Sequence, residues 1–95
     1  MITVNKDTNT IEFTFIYNEP FNENLLADAA DNFKQLNQKD LNILCNGFMP
    51  LELCIYLGEV AKHCEMNVTF KDDKQSKEFL EFIAKKDMIK INFKD

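Results

Sequence analysis

The chain of 95 residues reads as one α/β domain. The sheet is mixed and four- to five-stranded, opening on an N-terminal hairpin and continuing β-α-β-α-β, with the helices mainly on one face. Three observations lead there. Ile11, Phe13, Phe15 and Tyr17 alternate with Glu12, Thr14 and the exception Ile16, and other short runs repeat that period of two, the mark of a half-buried strand. Between these runs lie longer stretches at helical spacing. Strand-helix-strand units close by right-handed crossovers into parallel pairs, and strands that alternate, without being apolar throughout, leave one sheet face partly open.

Taken in order, Ile2 to Val4 pairs with the run from Ile11, because the intervening NKDTNT is rich in residues whose side chains bond nearby backbone and so turn readily. Pro20 ends that strand. Asn22 or Asn24 caps a first helix with apolar positions Leu26, Ala29, Ala30, Phe33 and Leu36, leaving Asp28, Asp31 and Lys34 to water. Leu41, Ile43 and Cys45 form a short strand stopped by Asn46-Gly47. Pro50 suits the first turn of a second helix, where its missing N–H costs nothing. From Leu51 to Leu57 only Glu52 is charged, so this helix is expected to start almost wholly buried, and Gly58 within it predicts a close packing contact. Val68 and Phe70 give another strand. Asp72, Asp73 or Ser76 caps a third helix carrying Phe79, Leu80, Phe82 and Ile83 toward the core, with Lys85-Lys86 at its negative dipole end. Ile89, Ile91 and Phe93 alternate with Lys90, Asn92 and Lys94 as a last strand.

Composition narrows the function classes. The hydrophobic fraction of 45% and only two glycines and two prolines describe a folded domain with short loops. No run is long and apolar enough to span a bilayer and the N-terminus lacks a signal-peptide layout, so a cytoplasmic protein is expected. The net charge is −5 and all 11 basic residues are lysines, so the planar bidentate group best suited to phosphates and base edges is missing. General nucleic-acid binding is disfavoured on that ground. Cys45, Cys54 and Cys64 sit far apart in apolar stretches and read as reduced thiols, with no zinc spacing among them.

Reactive residue types concentrate in NGFMPLELCIYLGEVAKHC, residues 46 to 64. His63 and Cys64 are consecutive, and neighbours on a helix point about 100° apart, so adjacency does not make them a nucleophile-base pair. A histidine near a helix C-terminus is the plainer reading. Glu52 and Glu59 stand two turns apart, about 10 Å of rise, as solvated or rim positions. Lys71-Asp72-Asp73-Lys74 reads as a solvated turn with helix caps, and no glycine-rich phosphate loop exists. The nine phenylalanines fall at core-facing periods.

The order of elements resembles a STAS domain (sulfate transporter and anti-sigma factor antagonist) over nearly the whole chain, from the hairpin through YLGEVAKHCEMNVTF to the closing SKEFLEFIAKKDMIKINF. The family carries Asp-Ser-Ser-Gly-Leu at the start of its second helix, where a hydroxyl is phosphorylated. Here Met49, Pro50, Leu51, Glu52 and Leu53 occupy that place. The resemblance implies a domain without a phosphorylation switch at this site, which docks a protein partner through the helix start and its preceding loop: Phe48, Met49, Pro50, Leu51 and Glu52. It implies no cofactor, metal or catalytic residue.

A narrower resemblance links NGFMPLEL to the Gly-x-x-Pro-Ile-Trp-Leu segment of a small CRISPR-associated ring nuclease family, and NEPFNENLL to that family's strand-Pro-helix entry. It implies binding or cleavage of cyclic oligoadenylate, with His63 at a family histidine and Asp72 near an acidic residue used with manganese. Glu52 stands where the family has tryptophan, and arginine is missing. Between the two, the interaction module is the favoured expectation. Large apolar residues in the Gly-Phe-Met-Pro turn either seal the core or wait for a partner. An incompletely covered sheet is also commonly hidden in a homodimer, which makes a homo-oligomer a further expectation.

Overall fold

A computed structural model describes residues 1–15, 23–71 and 73–94. Its elements are β1 (Ile2–Asn5), β2 (Thr10–Thr14), α1 (Leu25–Phe33), β3 (Leu41–Asn46), α2 (Leu51–Ala61), β4 (Met66–Lys71), α3 (Lys74–Lys86) and β5 (Asn92–Lys94). The strands lie in the sheet in chain order, β1-β2-β3-β4-β5. The β1–β2 hairpin is antiparallel and every later pair is parallel. Each crossover steps to the next strand in the same direction, and right-handed crossovers of that kind place all three helices on one face. The α/β class, the mixed sheet and the one-sided helices are therefore as the sequence predicts.

That face holds the core. Ile11, Phe13, Leu41, Ile43, Cys45, Met66 and Val68 point into it from the sheet, and Leu25, Ala29, Phe33, Leu53, Leu57 and Leu80 meet them from the helices. Among the described strand residues the opposite face is polar except for Leu44. Register aligns Thr10, Asn42, Asn67 and Asn92 in one row across four strands. In parallel strands such a row lets one side-chain amide bond the next. Asn92 Nδ2 donates to Asn67 Oδ1 at 3.1 Å, and Asn67 Nδ2 donates to Asn42 Oδ1 at 3.2 Å and to Asp40 Oδ1 at 2.8 Å. Asn42 Nδ2 then donates to the Thr8 carbonyl at 2.9 Å. Glu12 and Asn46 are bonded on the same face. An open face that bonds to itself in this way supplies no hydrophobic reason to be hidden in a homodimer.

Several expectations need correction. The extension of β2 to Tyr17, the stop at Pro20 and the Asn22 cap lie outside the described residues. Asn24 stands at the N-cap position of α1, whose buried stripe is Leu25, Ala29 and Phe33, followed by Leu36; Leu26 and Ala30 are half-buried flanks. On α3 the buried stripe is Ser76, Leu80 and Ala84, at steps of four. Phe82, about 200° round from Leu80, is consequently 62% exposed and not core.

The last strand is shorter than the alternation from Ile89 suggests, because the chain first has to end α3. The N–H of Met88 donates to the Lys85 carbonyl at 3.4 Å and the N–H of Ile89 to the Ala84 carbonyl at 2.8 Å. With Met88 at φ 57, this is the paired-bond Schellman ending, which usually places glycine at the left-handed position. Pairing with β4 resumes only at Asn92.

Candidate functional site

The start of α2 is built by one sharp turn. Gly47 adopts φ 85, and a Cβ there would stand 2.5 Å from the Phe15 carbonyl oxygen, so both conformation and space demand glycine. The turn sends consecutive side chains in opposite directions. Phe48 is 54% exposed, whereas Met49 is 1% exposed. Met49 is thus core, a correction to its expected place on a contact surface. Pro50 follows at φ −57, and its carbonyl accepts the N–H groups of Leu53 and Cys54, both at 3.1 Å, to begin the helix. Pro50 itself takes the N-cap position, one residue before the expected first turn.

Ser76 fixes this turn to α3. Its Oγ accepts the backbone N–H of Met49 at 3.0 Å and donates to Asp73 Oδ2 at 2.8 Å. Asp73 is the cap of α3, its Oδ1 accepting the N–H groups of Gln75 and Ser76 at 2.9 and 3.1 Å. These bonds satisfy a buried serine inside an apolar stripe. Between the two helix starts lies a cleft of about 100 Å³, lined by Phe48, Leu51, Cys54, Gln75 and Phe79 around the buried Met49 and Ser76.

Beyond the cleft the apolar surface continues. Leu51 and Ile55, one turn apart, are each 50% exposed, so α2 does not start wholly buried; its buried side is Leu53, Cys54, Leu57 and Gly58. Glu52 is exposed beside them. Gly58 packs against α3, a Cβ at that position standing 2.9 Å from Ile83 Cγ2, as the glycine in mid-helix predicts. Ile55 and Phe82 were missed as surface residues by sequence reasoning. A helical wheel centred on Leu53 and Leu57 carries the signal for Ile55, since it groups Ile55 with Glu52 and Glu59.

The other candidates do not converge here. His63 is exposed just past the end of α2, about 17 Å of helix from Glu52. Asp72 lies outside the described residues. Cys45, Cys54 and Cys64 are free, the first two buried and the third half-buried. Burial, with smaller repulsion from Cys54 and Asp73, pushes the Cys45 thiol up to about 12, and burial followed by Asp73 does the same to Cys54. Such thiols are protonated and inert as nucleophiles near neutrality. Among the described residues no group of three His, Cys, Asp or Glu side chains stands together as a metal site requires, and no helix is long and apolar enough to cross a membrane. No protein-family model, curated protein or solved structure matches the chain.

Proposed function

We propose that the chain is a non-catalytic, STAS-like interaction module that docks a protein partner through the start of α2. The observation that carries this is the apolar strip of Phe48, Leu51 and Ile55, half-exposed on the turn and the first turns of α2, where Gly47 and Ser76 fix the path of the chain. Preorganised aromatic and aliphatic side chains of this kind bind at low entropic cost. Glu52 and Pro50 border the strip, and Met49 supports it from inside. Met49 to Leu53 offer no hydroxyl, so docking at this site is not switched by phosphorylation there.

The test is capture of a partner from the source cells by tagged wild type and by the Phe48→Ser, Glu52→Lys variant. Partner capture lost with the melting temperature nearly unchanged is the expected result. Capture that survives both substitutions overturns the assignment of the surface. A thermal titration with cyclic oligoadenylate, with and without manganese, examines the nuclease reading: a rise in melting temperature and cleaved product, both lost in His63→Ala, would replace this proposal.

A further inference from the structure

Asn46 is the only one of the chain's 11 asparagines that glycine follows. The pair closes β3 and opens the turn that presents Phe48. An asparagine loses its side-chain amide when the next residue's backbone nitrogen attacks it, and glycine favours that attack because no Cβ crowds the nitrogen. The nitrogen must first give up its proton, which an unpaired N–H does more readily than one held in a sheet. Among the described residues no acceptor pairs with the Gly47 N–H, although the Asn46 carbonyl accepts the Phe15 N–H at 3.0 Å.

The amide itself is held. Asn46 Nδ2 donates to Glu12 Oε2 and, at 3.3 Å, to Thr14 Oγ1, both on β2. These partners suit an amide and not the acid that would replace it. Asn46 stands opposite Thr14 and diagonal to Glu12 in the register, so a carboxylate there would meet the Glu12 carboxylate across neighbouring strands. Lys71, the register partner in β4, is exposed, and it offsets part of that repulsion without restoring the lost donor.

We propose that Asn46 is a site of spontaneous deamidation whose products dismantle the turn. Resting on the reading that this turn docks a protein, the docking surface is then lost as the molecule ages. The Gly47 nitrogen, its proton given to hydroxide or water, bonds to Asn46 Cγ; the Cγ–Nδ2 bond breaks, and ammonia leaves a cyclic imide. Water opens the imide on either side of the Gly47 nitrogen. Breaking its bond to Cγ leaves aspartate, and breaking its bond to the main-chain carbonyl carbon leaves isoaspartate, whose main chain runs through Cβ and Cγ and is one atom longer. The turn has no room for that atom. Gly47 holds φ 85 with a Cβ position 2.5 Å from the Phe15 carbonyl oxygen, and its own carbonyl accepts the Cys45 thiol at 3.4 Å. Glu12 and Thr14, by fixing the amide, slow the reaction in the folded chain.

The experiment is incubation of the folded full chain at physiological temperature, at neutral and mildly alkaline pH, followed by peptide mapping by mass and by enzymatic methylation of isoaspartate. Asn46 is expected to convert faster than each of the other ten asparagines, and faster again as pH rises and more of the attacking nitrogen is deprotonated. Glu12→Ala frees the amide and is expected to speed conversion at Asn46 while the other asparagines keep their rates. The converted fraction, separated by charge, is expected to yield Cys45 and Cys54 to a thiol reagent, because the turn covers the first and the cleft behind it is lined by the second. Asn46→Gln, which forms the imide far more slowly, is expected to keep both thiols protected through the same incubation. An Asn46 that outlasts the other asparagines, a rate unchanged in Glu12→Ala, or converted chains whose thiols stay protected would each overturn the inference. An intact Asn46 with capture abolished by Phe48→Ser, Glu52→Lys removes the modification and leaves the docking surface; conversion that exposes the thiols, with capture insensitive to those two substitutions, leaves the modification and removes the docking surface.

Discussion

The backbone N–H of Met49 donates to the Oγ of Ser76 across 3.0 Å, tying a turn to a helix start 27 residues later in the chain. Ser76→Ala removes the acceptor of a buried donor and one hydrogen bond to the Asp73 carboxylate. The expected loss is about 1–3 kcal/mol of stability, the usual cost of an unsatisfied buried group. Urea denaturation measures it. A loss well under 1 kcal/mol would show that the turn holds its shape without the serine.

The two glycines separate two kinds of constraint. Gly58→Ala gains up to about 1 kcal/mol of helix propensity but drives its methyl against the branch of Ile83, and overpacking of this kind costs about 1–3 kcal/mol. A small net destabilisation is expected, relieved when Ile83→Leu removes the offending methyl. Gly47→Ala combines a left-handed backbone with contact against the Phe15 carbonyl, which cannot move aside, and is expected to be much the more damaging of the pair. Thermal melts of the three variants decide the ranking.

The asparagine row predicts a gradient from the sheet's interior to its edge. Asn67 is buried and bonded to Asp40, Asn42 and Asn92, so Asn67→Ala is expected to cost about 1–3 kcal/mol. Asn92 is exposed on an edge strand, where water replaces the lost partner, and Asn92→Ala is expected to cost under about 1 kcal/mol. Equal losses at the two positions would mean that the row does not stabilise the sheet through its buried bonds.

The buried thiols make stability fall at alkaline pH. Cys45 and Cys54 titrate near 12 in the folded chain against an ordinary 9.0. Their contribution is thus fully present below pH 9 and is lost as pH rises from 9 toward 12, by up to about 1.4 kcal/mol per pH unit for each thiol. Denaturation of wild type and of Cys45→Ala with Cys54→Ala across that range isolates the slope from other titrating groups. In the native state, Cys64 is expected to react first with a thiol reagent because it alone is half-exposed.

Periodicity carried the fold. Ile11 and Phe13, Leu41 to Cys45, and the spacing of Leu53 and Leu57 all reflect one-sided burial, and one-sided burial follows from helices on a single sheet face. What periodicity could not resolve was phase and termination. Phe82 reads as core by composition, yet the stripe centred on Leu80 turns it to water, with Ser76 taking an inward place that a polar residue does not advertise. The break between α3 and β5 depends on Met88 standing in a left-handed conformation, for which methionine gives no local signal. At the candidate site the direction of Phe48 and Met49 was undecidable from sequence, since a glycine turn can present either of two neighbouring apolar residues outward.

The chain-order sheet bears on synthesis. Because β1 to β5 each lie beside the strand before them, a chain leaving the ribosome always meets an edge that has already formed, and no strand has to be inserted between two earlier ones. Strand partners stand at most 32 residues apart in the chain, as Thr10 does from Asn42, so no pairing has to close a longer loop. Growth of the domain is then stepwise from the N-terminal hairpin, with an unfinished sheet edge exposed at each stage. The final edge, β5, is only three residues long and carries Lys94, which leaves little template for a neighbouring nascent chain to add to.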